Sequence, residues 1–346
     1  MTIGEVIKKY RKNSGMTQEE MAKRLGVTAP AVNKWEKGNT LPDVALLAPI
    51  ARLLGITTDE LLSFRDELTD EEISRYLSQV QNDLEDKDFH EVFLAVKEKI
   101  GEYPNCEKLI WQAAVLLDAK RMETELSNPG DYDQQILDWY ERCLLSENEQ
   151  IRKQAANSLF HMFFRKEDYE RALHYLEYFS LDNPERKRKE ALVNSKTGNR
   201  KDAYRAYEEL IFSAYQHIQS TLNDLRILYM EDNDHEMAKK LVAVSSSAAS
   251  TFEMGRYNEI CVGLDVAVWE KDVASTAQLM QDILDSIGTI GAFANSKLYR
   301  HMTLKALDPE LTESLKREFL KSLEDESYSY MQGNDCWESL KNRIPR

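Results

Sequence analysis

The 346 residues carry 45 Lys+Arg against 60 Asp+Glu, a formal net charge of −15 at pH 7. That length leaves room for two or more domains with ample cores, and no apolar run approaches the roughly 20 residues that span a bilayer. Four cysteines without a C-x-x-C pair and six solitary histidines offer neither a disulfide framework nor a metal cluster, and Lys8, Lys9, Arg11 and Lys12 interrupt any secretion signal, so a cytoplasmic protein without cofactors is expected.

Ile3, Val6, Ile7 and Tyr10 recur at helical spacing and predict a first amphipathic helix ending near Ser14-Gly15. Thr17 caps a second helix, Glu20 completes a capping box, and Met21, Ala22 and Leu25 follow on one face. After the turn at Gly26-Val27, Thr28 caps a third helix whose Val32 and Trp35 point inward. Ala29, Pro30, Asn33 and Lys34 are left facing out. Trp35 stands three residues after Val32 and reads as core rather than as a stacking platform. Gly38 stops this helix, and Pro42-Asp43 opens a fourth with Val44, Leu46, Leu47, Ile50 and Leu54. A short fifth, after Thr58, carries Leu61 and Leu62. The helix-turn-helix of residues 17–38 is an arrangement that sets a helix in the DNA major groove.

Charge divides along the same line. Residues 1–64 hold nine Lys/Arg against seven Asp/Glu, a balance of +2, and the remainder holds 36 against 53, or −17. DNA affinity comes largely from Lys/Arg displacing counterions, so any DNA contact is expected from the N-terminal part alone. The acidity of the remainder also serves solubility.

Arg11, Gly15, Thr17 to Ala22, Leu25 to Thr28, Val32, Lys34 to Gly38, Pro42 and Leu54 to Ile56 together resemble the Cro/repressor-type helix-turn-helix domain of the xenobiotic-response-element family. The resemblance covers the first 64 residues and implies a double-stranded DNA operator as partner. It puts Gln18 against the DNA backbone or a base, and Thr28, Ala29, Pro30, Asn33 and Lys34 at the recognition positions. Asn33 has the chemistry for a bidentate pair with adenine, Lys34 reaches guanine O6 and N7, and Ala29 suits a thymine methyl. Pro30 departs from the polar residue common at its place, but an early helix position tolerates it. Lys37, Asn39 and Thr40 are expected at phosphates. Arg11 and Glu36 match a pair that in the family forms a salt bridge between the first and third helices.

From about residue 70 the chain reads as helix throughout, with 3.6-residue periodicity and no alternating runs. It also repeats. Val92 and Ala172 each precede a proline, Pro104 and Pro184, by 12 positions, and small residues recur at Ala203, Ala238 and Ala274, 31 to 36 residues apart. This looks like the tetratricopeptide pattern of short helix pairs, six or seven in number, in which a small residue lets the second helix pack closely on the first. An irregular helical bundle is the alternative. Alignment on the small residues places Asn157, Arg188 and Asn223 at one site of the first helix, with Asn258 one residue from it. Asparagine amides both donate and accept, so such a ladder can hold an extended ligand; on a helix surface they are also simply solvated.

The expected architecture is all-α: a five-helix DNA-binding bundle over residues 1–64, a linker at 65–72, a tetratricopeptide-like α-solenoid over 73–325 and a tail or cap at 326–346. A repressor-type reader joined to such an array is similar to the Rap/Rgg/NprR/PlcR/PrgX superfamily of bacterial quorum-sensing regulators. That resemblance implies a homodimer and a short peptide effector in the groove of the array; the lack of a long apolar run adds the expectation of no membrane. The alternative is a DNA-tethered scaffold whose repeats grip another protein. No Gly-rich phosphate loop, nucleophile elbow, H-E-x-x-H or Cys–His arrangement is visible, so an enzyme is not expected.

Overall fold

A computed structural model describes residues 2–126, 128–305 and 308–343, which form helices and their connections, without strands. The chain divides into two compact units, Met1–Arg165 and Lys166–Arg346. The division falls inside the segment expected from the sequence to be one repeat domain.

The first unit opens with α1 (Ile3–Asn13), α2 (Gln18–Leu25), α3 (Ala29–Glu36), α4 (Val44–Leu54) and α5 (Thr58–Leu62). Capping boxes start two of them: Thr2 with Glu5 on α1, and Thr17 with Glu20 on α2. Each pair satisfies two backbone N–H groups that a helix start leaves unpaired. Gly26 ends α2 at φ 69°, where a side chain would be strained. Val6, Ile7, Met21, Val32, Trp35, Ile50, Leu54 and Leu61 close over one another as the bundle core. Val44 does not join them. It is 82% exposed, because Asp43 caps α4 and leaves the first turn outside.

Five longer helices follow: α6 (Asp70–Asp86), α7 (Phe89–Glu102), α8 (Glu107–Glu123), α9 (Pro129–Cys143) and α10 (Glu149–Arg165). Each packs on the next, and small residues permit the close approach. Ala113 and Ala114 of α8 and Ala155 and Ala156 of α10 are fully buried beside Leu109, Ile110, Leu159 and Phe160.

The second unit contains α11 (Tyr169–His174), α12 (Pro184–Lys196), α13 (Arg200–Glu231), α14 (His235–Thr251), α15 (Arg256–Ile260), α16 (Leu264–Trp269), α17 (Val273–Ser286), α18 (Pro309–Ser322) and α19 (Asp335–Lys341). Two features differ from a regular array of short helix pairs. First, α13 is a single helix of 32 residues, because no Gly or Pro interrupts residues 200–231. Second, Ala274 is exposed. Asp272 caps α17 by accepting from the Ser275 N–H, so Ala274 lies in the outer first turn, and Ala277 packs inward instead. Ala172, Ala203 and Ala238 are buried. Near the C-terminus, Met331, Trp337 and Leu340 pack with Met280, Leu284 and Leu320, and the Thr276 and Tyr330 hydroxyls lie 2.8 Å apart. Residues 344–346 of the expected tail lie outside the described residues.

Candidate nucleic-acid interface

α2, the turn at Gly26 and α3 form the helix-turn-helix. Met21, Ala22, Val32 and Trp35 are buried between the helices, and Ala29 and Ala31 pack partly against them. Thr28, Pro30, Lys34, Lys37, Asn39 and Thr40 are exposed, and Asn33 is half-buried. Thr28 occupies the cap position of α3, but its side chain makes no capping hydrogen bond. The expected cap is therefore only positional, and the hydroxyl is left for another acceptor or donor. Ala29 is partly covered by the core, which narrows any reach toward a thymine methyl.

Glu36 fixes α3 to the rest of the bundle. Arg11 Nε donates to Glu36 Oε1 at 2.5 Å, Arg11 Nη2 to Oε2 at 3.0 Å, and Gln18 Nε2 to Oε2 at 2.8 Å. Arg11 Nη1 also donates to the Met16 carbonyl at 2.6 Å, so one guanidinium ties α1, the start of α2 and the end of α3. Burial pushes the Glu36 carboxyl up, but the hydrogen bonds from Arg11 and Gln18 outweigh it and hold the group below the usual carboxylate range. The hydrogen bond to Glu36 pushes Arg11 up. Gln18 accordingly spends one amide N–H on Glu36; its second N–H is the one chemically available to a phosphate.

Gly4 was not singled out by its sequence context, yet it sets the spacing of α1 and α3. A Cβ there would lie 2.1 Å from the Trp35 carbonyl oxygen, so only glycine lets the two helices approach this closely. The available signal was a glycine inside an otherwise regular helical pattern.

The four ligand candidates fare differently. Asn157 is half-buried on α10 in the first unit; the other three belong to the second. Arg188 pairs with Glu185 at 2.9 Å on the surface. Asn223 accepts from Arg226 Nη2 at 2.6 Å. Asn258 donates to the Met254 and Ile290 carbonyls at 2.7 and 3.3 Å, so its amide nitrogen serves the fold. Its alignment also rested on Ala274, which is not the packing residue. A cavity of about 440 Å³ lies nearby, with Val242, Ile260, Val266 and Leu279 among its lining residues and Lys239, Arg256, Glu259 and Glu270 supplying charge. Lys239 pairs with Glu270 at 2.8 Å and Arg256 with Glu259 at 3.1 Å. Among the described residues no group of His, Cys, Asp or Glu is arranged to hold a metal ion, and no helix is long and apolar enough to cross a membrane.

A helix-turn-helix family model matches residues 7–61. The HTH-type transcriptional regulator YazB of Bacillus subtilis is 41% identical over 58 residues, which are 17% of this chain and 84% of that protein. An HTH-type transcriptional regulator of Methanothermobacter thermautotrophicus is 46% identical over 50 residues, 14% of this chain and 72% of the relative. The HTH-type transcriptional activator BcrR of Enterococcus faecalis is 35% identical over 69 residues, 20% of this chain, and the match spans only 34% of BcrR. Among solved structures, that of Bacillus thuringiensis PlcR with the peptide PapR7 and DNA is similar at 15% identity and a TM-score of 0.24, covering 85% of this chain and 99% of that one. Apo ComR from Streptococcus vestibularis is similar at 13% identity and a TM-score of 0.19, covering 92% and 97%. Through residues 7–61, and through relatives matched over most of their own length, the chain belongs to the helix-turn-helix family of HTH-type transcriptional regulators.

Proposed function

We propose that this protein is a sequence-specific DNA-binding regulator, acting as a cytoplasmic dimer, whose helical second part responds to a short peptide. The observation that carries the DNA reading is the division of labour on α3. Val32 and Trp35 bury one face, Glu36 locks the helix end to α1 and α2, and Thr28, Pro30, Lys34 and Lys37 remain exposed with Asn33 at their edge. A helix held that firmly presents its outward side chains in one geometry, which base-edge recognition requires. Lys37, Asn39 and Thr40 extend the exposed polar surface where phosphates would run.

Dimerisation and a peptide effector are supported by the likeness of the two-part layout to the quorum-sensing superfamily. The cavity lined by Val242, Ile260 and Leu279, with both signs of charge at hand, suits an apolar side chain on a short zwitterionic chain. Selection of bound duplexes from a random pool by the full-length protein tests the reading. It should enrich a near-palindrome with half-sites about 34 Å apart, one helical turn. Recovery of no motif would sink it.

A further inference from the structure

Among the described residues of α13, only Ala203, Glu208, Tyr215 and Arg226 are buried. The helix packs on α12, on α14 and on the turn at Lys297–Tyr299, and a further face carries a regular stripe of apolar residues and one threonine. Ile211, Ala214, Ile218, Thr221, Leu225 and Leu228 follow one another at alternating steps of three and four, and all six are exposed. Ile218 is 44% and Leu228 56% exposed. Alternating steps of three and four are the seven-residue repeat of a coiled-coil seam. In a regular array the two halves of α13 would be separate helices folded on each other. Running them as one leaves this face exposed among the described residues.

We propose that this seam docks a second copy of the chain, with the two α13 helices antiparallel across a two-fold axis midway between Ile218 and Thr221. The inference rests on the dimeric reading above and supplies its surface. The stripe is complementary to itself in that register. Ile218 meets Thr221 of the second copy, Leu225 meets Ala214, and Ile211 meets Leu228, so each small side chain in the middle faces a large one. A parallel, in-register pair would instead set Ala214 on Ala214 and Thr221 on Thr221, leaving two underfilled layers. Charge agrees. The antiparallel register brings His217 beside Asp224 of the second copy, and symmetry makes that pairing twice. His217 Nδ1 donates to the Ser213 carbonyl at 2.9 Å, so Nε2 donates to the facing carboxylate only in the imidazolium form. A foreign helix would have no reason to match the stripe read backwards.

Sedimentation velocity on the full-length protein tests this without any ligand. Wild type should be a dimer at micromolar concentration, and Ile218→Glu a monomer. His217→Glu should weaken the dimer about tenfold by facing two carboxylates across the seam. The combination of His217→Glu with Asp224→Lys should restore it, an outcome that misfolding of either single variant would not produce. A wild-type dimer unmoved by Ile218→Glu and His217→Glu would place the interface elsewhere and overturn the seam alone. Single variants that weaken without rescue would overturn the antiparallel register. A monomeric wild type would overturn seam and dimer together.

Discussion

Arg11 and Glu36 are 25 residues apart in sequence and joined by two hydrogen bonds, Nε to Oε1 at 2.5 Å and Nη2 to Oε2 at 3.0 Å, with both side chains almost entirely covered. The pair decides where the end of α3 sits relative to α1. Removing one partner leaves the other charged and buried, so Arg11→Ala should cost about 3 kcal/mol of local stability. Hydrogen exchange read by mass spectrometry should show lost protection in α1 and α3 while α8 and α10 keep theirs. Unchanged exchange in α3 would mean that the pair does not hold the helix.

The same carboxylate should make the bundle acid-sensitive. The Glu36 carboxyl is lower in the folded state than its ordinary value, through Arg11 and Gln18 winning over burial. Its stabilising contribution is therefore complete above the ordinary carboxylate range and is lost as pH falls through the lowered folded value. Exchange protection of α3 should fall on acidification, and Glu36→Gln should flatten that dependence while lowering protection at neutral pH. An identical acid profile in the variant would assign the sensitivity to other groups.

Gly4→Ala pits two effects against each other. Alanine in a helix interior gains up to about 1 kcal/mol over glycine. The new Cβ, however, would sit 2.1 Å from the Trp35 carbonyl oxygen, a backbone atom that cannot swing aside. Overpacking of this kind costs about 1–3 kcal/mol, so net destabilisation of the bundle and weaker DNA binding are expected. Thermal unfolding followed by α3 exchange, with DNA affinity measured in parallel, decides the sign.

Lys37→Ala should weaken binding to every duplex alike and lower the slope of log affinity against log salt by about 1, as expected for one lost phosphate contact. Fluorescence anisotropy across a salt series checks this. A change confined to one sequence would instead make Lys37 a base reader.

The helix-turn-helix was legible because its signals are local and redundant. Thr17 with Glu20, Gly26, and Val32 with Trp35 each act within one or two turns, and each stands where its pattern implies. Gln18 was harder to read, since its hydrogen bond to Glu36 spans 18 residues and depends on tertiary placement. The repeat part shows the opposite balance. Helical periodicity runs unbroken through residues 200–231, so it cannot say whether one helix or two occupy the segment; the lack of Gly or Pro was the better guide. Ala274 and Ala277 are one turn apart, and only the cap at Asp272 decides which faces inward. Asn258 was aligned through Ala274, and its amide nitrogen donates to the Met254 and Ile290 carbonyls, contacts that only the tertiary fold creates.

Base-edge reading is assigned above to the outward side chains of α3. The most direct measurement compares wild type with the Asn33→Ala, Lys34→Ala double variant in selection from a random duplex pool, followed by anisotropy on the enriched and a scrambled duplex. Loss of about 1–3 kcal/mol of discrimination per removed contact is expected, so the double variant should bind both duplexes alike, with residual, salt-sensitive affinity. Enrichment of the same motif by the double variant, with discrimination intact, would mean that Asn33 and Lys34 do not read the bases.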